Sequence, residues 1–238
     1  MISGAERSKH VCDNEAKWTV WFSRVSLKNA LLSAIWLTCL VGGGLLASNG
    51  VYMWAKAQLA QVLIASAWQH SAHAAEANAL SHHANQALED QAIRTKPWPW
   101  ADTYPVAKLT FPSQLIGSLS EDTLYVLAGA SGSTMAFGPG HMSTTPLPFE
   151  SGNSVITGHR DTHFAALQYL NQGDLIQVQT LEGQGEYQVT ATFIVHQSQT
   201  QIIESQSADQ LTLITCYPFN SMIPNPTMRY VVSANRVR

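Results

Sequence analysis

Residues 210–216 read Gln210-Leu211-Thr212-Leu213-Ile214-Thr215-Cys216. Leucine alternates with β-branched threonine and isoleucine, a period of two that suits an extended strand rather than a helix. A tyrosine-proline turn follows, so Cys216 stands near the end of that strand. Comparable runs lie at Val106–Phe111, Thr123–Ala128, Ser154–Thr157, Asp174–Thr180, Tyr187–Val195 and Arg229–Ala234. Turn-forming strings separate them, among them Gly138-Pro139-Gly140, Ser151-Gly152-Asn153, Gln172-Gly173-Asp174 and Glu182-Gly183. Seven or eight short strands at this spacing predict an all-β barrel or sandwich. Thr162–Leu170 alone reads as a helical turn between strands.

The first third of the chain is different. No charged side chain lies between Lys28 and Lys56, and Ala30 to Trp54 is almost wholly apolar. As a helix this stretch would extend about 35 Å at about 1.5 Å per residue, enough to cross a bilayer core. Tyr52 and Trp54 close one end, as interfacial aromatics do. Arg7, Lys9, Lys17, Arg24 and Lys28 precede the span, and only Lys56 follows it before Arg94. This bias predicts a cytoplasmic N-terminus and an exported C-terminal part. A cleaved signal peptide is the competing reading, with Leu46-Ala47-Ser48 as a weak cleavage candidate. The long tail and long apolar run favour an uncleaved anchor.

Residues 55–93 contain no glycine or proline and are rich in Ala, Gln and Leu, a strong helix composition. Leu59, Val62, Leu63 and Trp68 form a partial apolar stripe, so the stretch is expected to continue the membrane helix as a stalk. His70, His73, His82 and His83 read as a polar helical face rather than a metal tract. Lys96-Pro97-Trp98-Pro99-Trp100 ends the helix. The expected organisation is a cytoplasmic tail at 1–28, a transmembrane anchor at 29–55, a helical stalk and linker at 56–96, and a β domain at 97–238.

Net charge is −3, and from Pro97 onward five basic residues face ten acidic ones. Such a domain repels phosphate backbones, so nucleic acid is not an expected partner. Cys12 lies in the tail, Cys39 in the apolar run and Cys216 in the β domain, which leaves no disulfide framework.

A lone cysteine is commonly a buried core residue. Cys216 departs from that pattern because its flanks are polar and its predicted compartment is oxidising, where an idle thiol is a liability. A thiolate nucleophile needs a base or a cation beside it. His159, at the end of the run Val155-Ile156-Thr157-Gly158-His159-Arg160, is the best base. Arg229 opens the last strand thirteen positions after Cys216 and lies beside it if the two strands pair. There it could stabilise the oxyanion of an acyl transfer.

These residues carry a resemblance. Thr212-Leu213-Ile214-Thr215-Cys216 resembles the cysteine signature of the sortase family, Val155 to Arg160 resembles its histidine motif, and Arg229 stands where the family has its arginine. Leu167 to Ile176 and Phe137-Gly138-Pro139-Gly140-His141 are similar to segments of class C and D sortases. Trp98-Pro99-Trp100-Ala101-Asp102 and Cys216-Tyr217-Pro218-Phe219 look most like the sortases of Gram-negative bacteria. The resemblance covers residues 97–238. It implies an all-β, eight-stranded barrel with short helices behind a transmembrane helix and stalk, acting as a cysteine transpeptidase. Cys216, His159 and Arg229 would be catalytic, and Thr215 and His141 would touch substrate. The implied partners are a protein with a C-terminal LPxTG-like signal, an amine acceptor and the inner membrane, with no cofactor and no metal.

Other readings compete. Arg160 and Asp161 suggest a Cys-His-Asp triad, against which Asp161 reads as a turn residue. His159, His163 and Cys216 could make a zinc site, but the spacing lacks a metalloprotease glutamate. A papain-like peptidase would place its cysteine before its histidine, and an L,D-transpeptidase would carry a histidine-glycine-serine/threonine string that is absent. A tethered β-barrel interaction module with an inert cysteine is the remaining class. A proline-rich or aspartate-glycine lid segment like that of pilus-forming sortases is not seen before the barrel, which favours a non-polymerising role.

Overall fold

The computed structural model describes residues 5–81, 94–112, 123–204, 209–221 and 224–237, and within the first stretch the side chains from Lys28 to Ala77. His82 and His83 lie outside the described residues. Two compact units divide the chain, Met1–Lys56 and Ala57–Arg238.

A single helix, α1 (Ala5–Ser81), contributes to both units. In the first, the apolar side chains from Leu31 to Trp54 are exposed around the whole helix. Lys28–Ala77 is long and apolar enough to cross a membrane, with mean hydropathy 2.0 in its most apolar window.

In the second unit α1 is no free stalk. Ala60, Ile64, Ala67, Trp68 and Ser71 are buried at helical spacing, whereas Leu59 and Val62 remain 58% and 63% exposed. Of the apolar stripe expected from the sequence, Trp68 is buried and Leu63 half-buried, but the buried face centres on Ala60, Ile64 and Ala67 rather than on Leu59 and Val62. The alanines are the physical reason, since small side chains let the helix approach its neighbours closely. Gln61 Nε2 donates to Phe137 O at 2.7 Å, the Thr95 amide donates to Ser71 Oγ at 3.0 Å, and Trp68 meets Tyr125 at 6.4 Å between centroids. Of the two linker tryptophans, Trp98 packs edge-on to Phe137 at 5.1 Å, while Trp100 is 80% exposed.

Eight strands close a barrel: β1 (Pro105–Thr110), β2 (Thr123–Ala128), β3 (Gly140–His141), β4 (Asn153–Thr157), β5 (Leu175–Thr180), β6 (Gln184–His196), β7 (Gln210–Tyr217) and β8 (Met228–Arg236). Their order around the barrel is β1-β2-β3-β4-β7-β8-β6-β5. The β2–β3 and β4–β7 pairs are parallel and the rest antiparallel. A short helix, α2 (Gly132–Met135), lies between β2 and β3, and 3-10 turns cover Ala165–Tyr169 and Thr200–Ile203.

β7 is buried on both faces. Leu211 and Leu213 join the main core with Ile156, Phe164, Tyr187 and Val232. On the opposite face Ile214 joins Val155 and Val231 in a second cluster, against which Ile202 and Ile203 pack. Its two buried threonines are satisfied by hydroxyl bonds to the β4 segment. Thr212 Oγ1 donates to Asn153 Oδ1 and Thr215 Oγ1 to Gly158 O, both at 2.7 Å. A buried hydroxyl without such a partner would be costly, so these bonds also resist slippage of β7 along β4.

Candidate active site

The parallel pairing of β4 with β7 brings the site together. Thr157 lies opposite Ile214. Carrying that register two residues further sets His159 level with Cys216. On the other side of β7, Cys216 lies directly opposite Arg229 of β8, and Arg229 opposite Val195 of β6. Side chains two apart along a strand share a face, so Cys216 emerges on the face of Ile214, away from the main core. His159, Cys216 and Arg229 line one cleft of about 460 Å³, together with Arg160, Asp161, Gln197, Pro224, Asn225 and Pro226. His159 is exposed and Cys216 half-buried.

The Arg229 guanidinium is held on three sides. Nη1 donates to Pro226 O at 2.5 Å and to Met228 O at 3.0 Å, and Nη2 donates to Gln197 Oε1 at 3.0 Å. The histidine end is held just as firmly. The Gly158 amide donates to Ile214 O at 3.1 Å, and the Phe164 amide to His159 O at 3.0 Å. Arg160 is only 8% exposed. Its Nη1 donates to Pro218 O at 2.8 Å, its Nη2 to Ser221 O, and its Nε reaches both Asp161 oxygens at 3.2 and 3.3 Å.

Two residues expected to touch substrate lie elsewhere. Thr215 is one residue from Cys216, so the strand's alternation turns it to the interior face with Leu213, where it bonds Gly158. His141 is 5% exposed on β3, opposite Ile156 of the main core. Its Nε2 donates to Pro146 O at 2.9 Å, and burial lowers its pKa. His163 is also lowered, by burial first and then by the nearby His159 charge. Among the described residues no three His, Cys, Asp or Glu side chains gather into a metal site. Asp161 is engaged with Arg160. Gln197 gives no signal in the sequence, because only the pairing of β6 with β8 brings it to Arg229.

The barrel order and this cleft describe a thiol-bearing site at the mouth of a closed β-barrel. Residues 116–237 match the Sortase domain family model. Over 115 residues the chain is 35% identical to Sortase D of Bacillus subtilis (strain 168), a match covering 48% of this chain and 58% of that protein's length. Sortase A from Corynebacterium diphtheriae superposes with a TM-score of 0.50 at 23% identity, covering 75% of this chain and 84% of that one, and so shares the fold. Sortase C-1 from Actinomyces oris is 29% identical with a TM-score of 0.49, covering 56% and 73% respectively. The chain belongs to the sortase family, a family of cysteine transpeptidases.

Proposed function

We propose that this protein is a membrane-anchored sortase in which Cys216, His159 and Arg229 carry the reaction. The observation behind the reading is that one cleft gathers all three, with Cys216 and Arg229 directly opposed on paired strands. The Cys216 thiolate attacks the Thr–Gly carbonyl of an LPxTG-like signal near the C-terminus of a protein substrate. The oxyanion forms beside Arg229. A guanidinium has five N–H donors, and three of these contacts are already made to Pro226, Met228 and Gln197. Two donors remain for the substrate and the developing charge. The C–N bond then breaks, and His159 gives its proton to the leaving glycine amine. The acyl group stays on sulfur as a thioester. An incoming amine loses a proton to His159, attacks the thioester and forms a new amide, and the thiolate is released.

Helix α1 supports anchoring in the inner membrane with the barrel on the exported side, where an anchored substrate would also lie. We place the protein nearest the Gram-negative sortases on its Trp98–Asp102 and Cys216–Phe219 strings. The test is cleavage of an internally quenched LPxTG-like peptide by the full chain. Cys216→Ala should abolish turnover, and retained turnover removes the proposed mechanism. Arg229→Lys should lose at least about tenfold, because a point charge does not reproduce a planar fork.

A further inference from the structure

Arg160 follows His159 in the chain and is only 8% exposed. A buried guanidinium is expensive unless its donors are met, and here they are met by the loop that follows the cysteine. Pro218 and Ser221, which supply the carbonyls, begin the segment joining β7 to β8. The far end of that segment is held by the other arginine, through Pro226 O. Between these two anchors lie Pro224 and Asn225 on the cleft wall. The Gln197 amide adds a third tie, to Thr227 O at 2.8 Å. Each arginine also adjoins a proposed catalytic group: Arg160 follows His159 in the chain, and Arg229 faces Cys216 across the ladder.

We infer that Arg160 is a positioning residue, clasping the post-cysteine loop to the end of the histidine strand and so setting how His159 stands to the Cys216 sulfur. The inference rests on the proposed roles of those two residues. Its consequence is specific. Loss of the clasp acts on the chemical step, because a displacement of about 1 Å in a reacting geometry costs about 100-fold in rate. The Arg160 guanidinium makes its contacts within the protein, to Pro218, Ser221 and Asp161, so substrate affinity is left in place.

The test uses the full chain in detergent and two readouts. The first is turnover of the quenched peptide. Arg160→Gln should lower kcat about 100-fold with KM within about twofold. Arg160→Lys keeps the charge and the fold, but one ammonium cannot bridge two carbonyls and a carboxylate. It should recover only part of the rate, about tenfold below the native protein. The second readout needs no peptide: the pH dependence of Cys216 alkylation by iodoacetamide, followed by mass spectrometry of the Cys216 fragment. Arg160→Lys, which keeps the positive charge in the cleft, should displace that profile by about half a pH unit or more, since thiolate reactivity follows how His159 stands beside the sulfur. A purely structural arginine would lower thermal stability and leave the profile in place. Native kcat or an unmoved alkylation profile in Arg160→Lys overturns the inference. An uncleaved peptide with a displaced profile would instead count against the sorting-signal reading and leave the clasp standing.

Discussion

Gly158 gives the sharpest test of how the histidine end is built. A Cβ placed on it would lie 2.9 Å from both Cγ and Cδ2 of Phe164 and 3.2 Å from Cε2. Carbon pairs are comfortable at about 3.5 Å or more, so alanine here demands a movement of at least about 0.6 Å. Neither side yields readily. The Phe164 ring is fully buried in the main core. The Gly158 backbone donates to Ile214 O at 3.1 Å and accepts from Thr215 Oγ1 at 2.7 Å. Overpacking of this kind costs about 2 kcal/mol, which for a unit of this size lowers Tm by about 4–8 °C. The backbone that moves carries His159, so turnover should fall by between about tenfold and 100-fold even well below the melting transition. Differential scanning calorimetry and the quenched-peptide assay on Gly158→Ala read both effects. A Phe164→Leu background supplies the control: there the cost of alanine should shrink, because the ring it meets is gone. A Tm within about 1 °C and turnover within about twofold of native would refute the steric argument.

Other consequences follow from the same packing. His141 and His163 are both held below their ordinary value of 6.5, so the folded state takes up protons less readily than the unfolded chain. Stability should therefore fall as pH drops below about 6.5 and level off above it, and His141→Gln should flatten the slope of Tm against pH; an equal slope in that variant removes His141 as a source. Ile64, 1% exposed on α1, should cost about 3 kcal/mol as alanine, seen as a Tm lower by about 6–12 °C, and an unchanged Tm would show that the helix is not part of the folding unit. Asp161→Asn should keep turnover within about threefold, since Asp161 is 65% exposed and engaged with Arg160, whereas a loss of about 10⁴-fold would restore the Cys-His-Asp triad.

The strand runs were legible because they alternate or are continuously apolar, and Thr123–Ala128 coincides with β2 to the residue. β3 was not legible. It is two residues long, and its existence depends on pairing Gly140 with both Leu127 and Thr157. β6 runs beyond its apolar part at both ends because Gln184 and Gly185 pair with β5 and His196 pairs with β8, regardless of hydropathy. The inward turn of Thr215 was available in principle, since period two places it opposite Cys216. Arg160 could not be read correctly: its burial follows from carbonyls 58 and 61 positions away.

The three proposed catalytic residues are far apart in sequence, and the topology makes their meeting a consequence of two strand pairings. Parallel strands end at the same side of a sheet, so the residue following β4 and the last residues of β7 must share one rim. An antiparallel partner begins where its neighbour ends, so β8 must start at that rim with Arg229. What topology leaves undecided is the face, because a slip of one residue would turn every side chain over. The threonines of the cysteine motif remove that freedom. Thr212 bonds Asn153 at the start of β4 and Thr215 bonds Gly158 just beyond its end, each at 2.7 Å. A slip in either direction would break both bonds and leave two buried hydroxyls unpaired, at about 1–3 kcal/mol each. Their part in this site is to hold the register that presents the Cys216 sulfur, rather than Thr215, to the cleft.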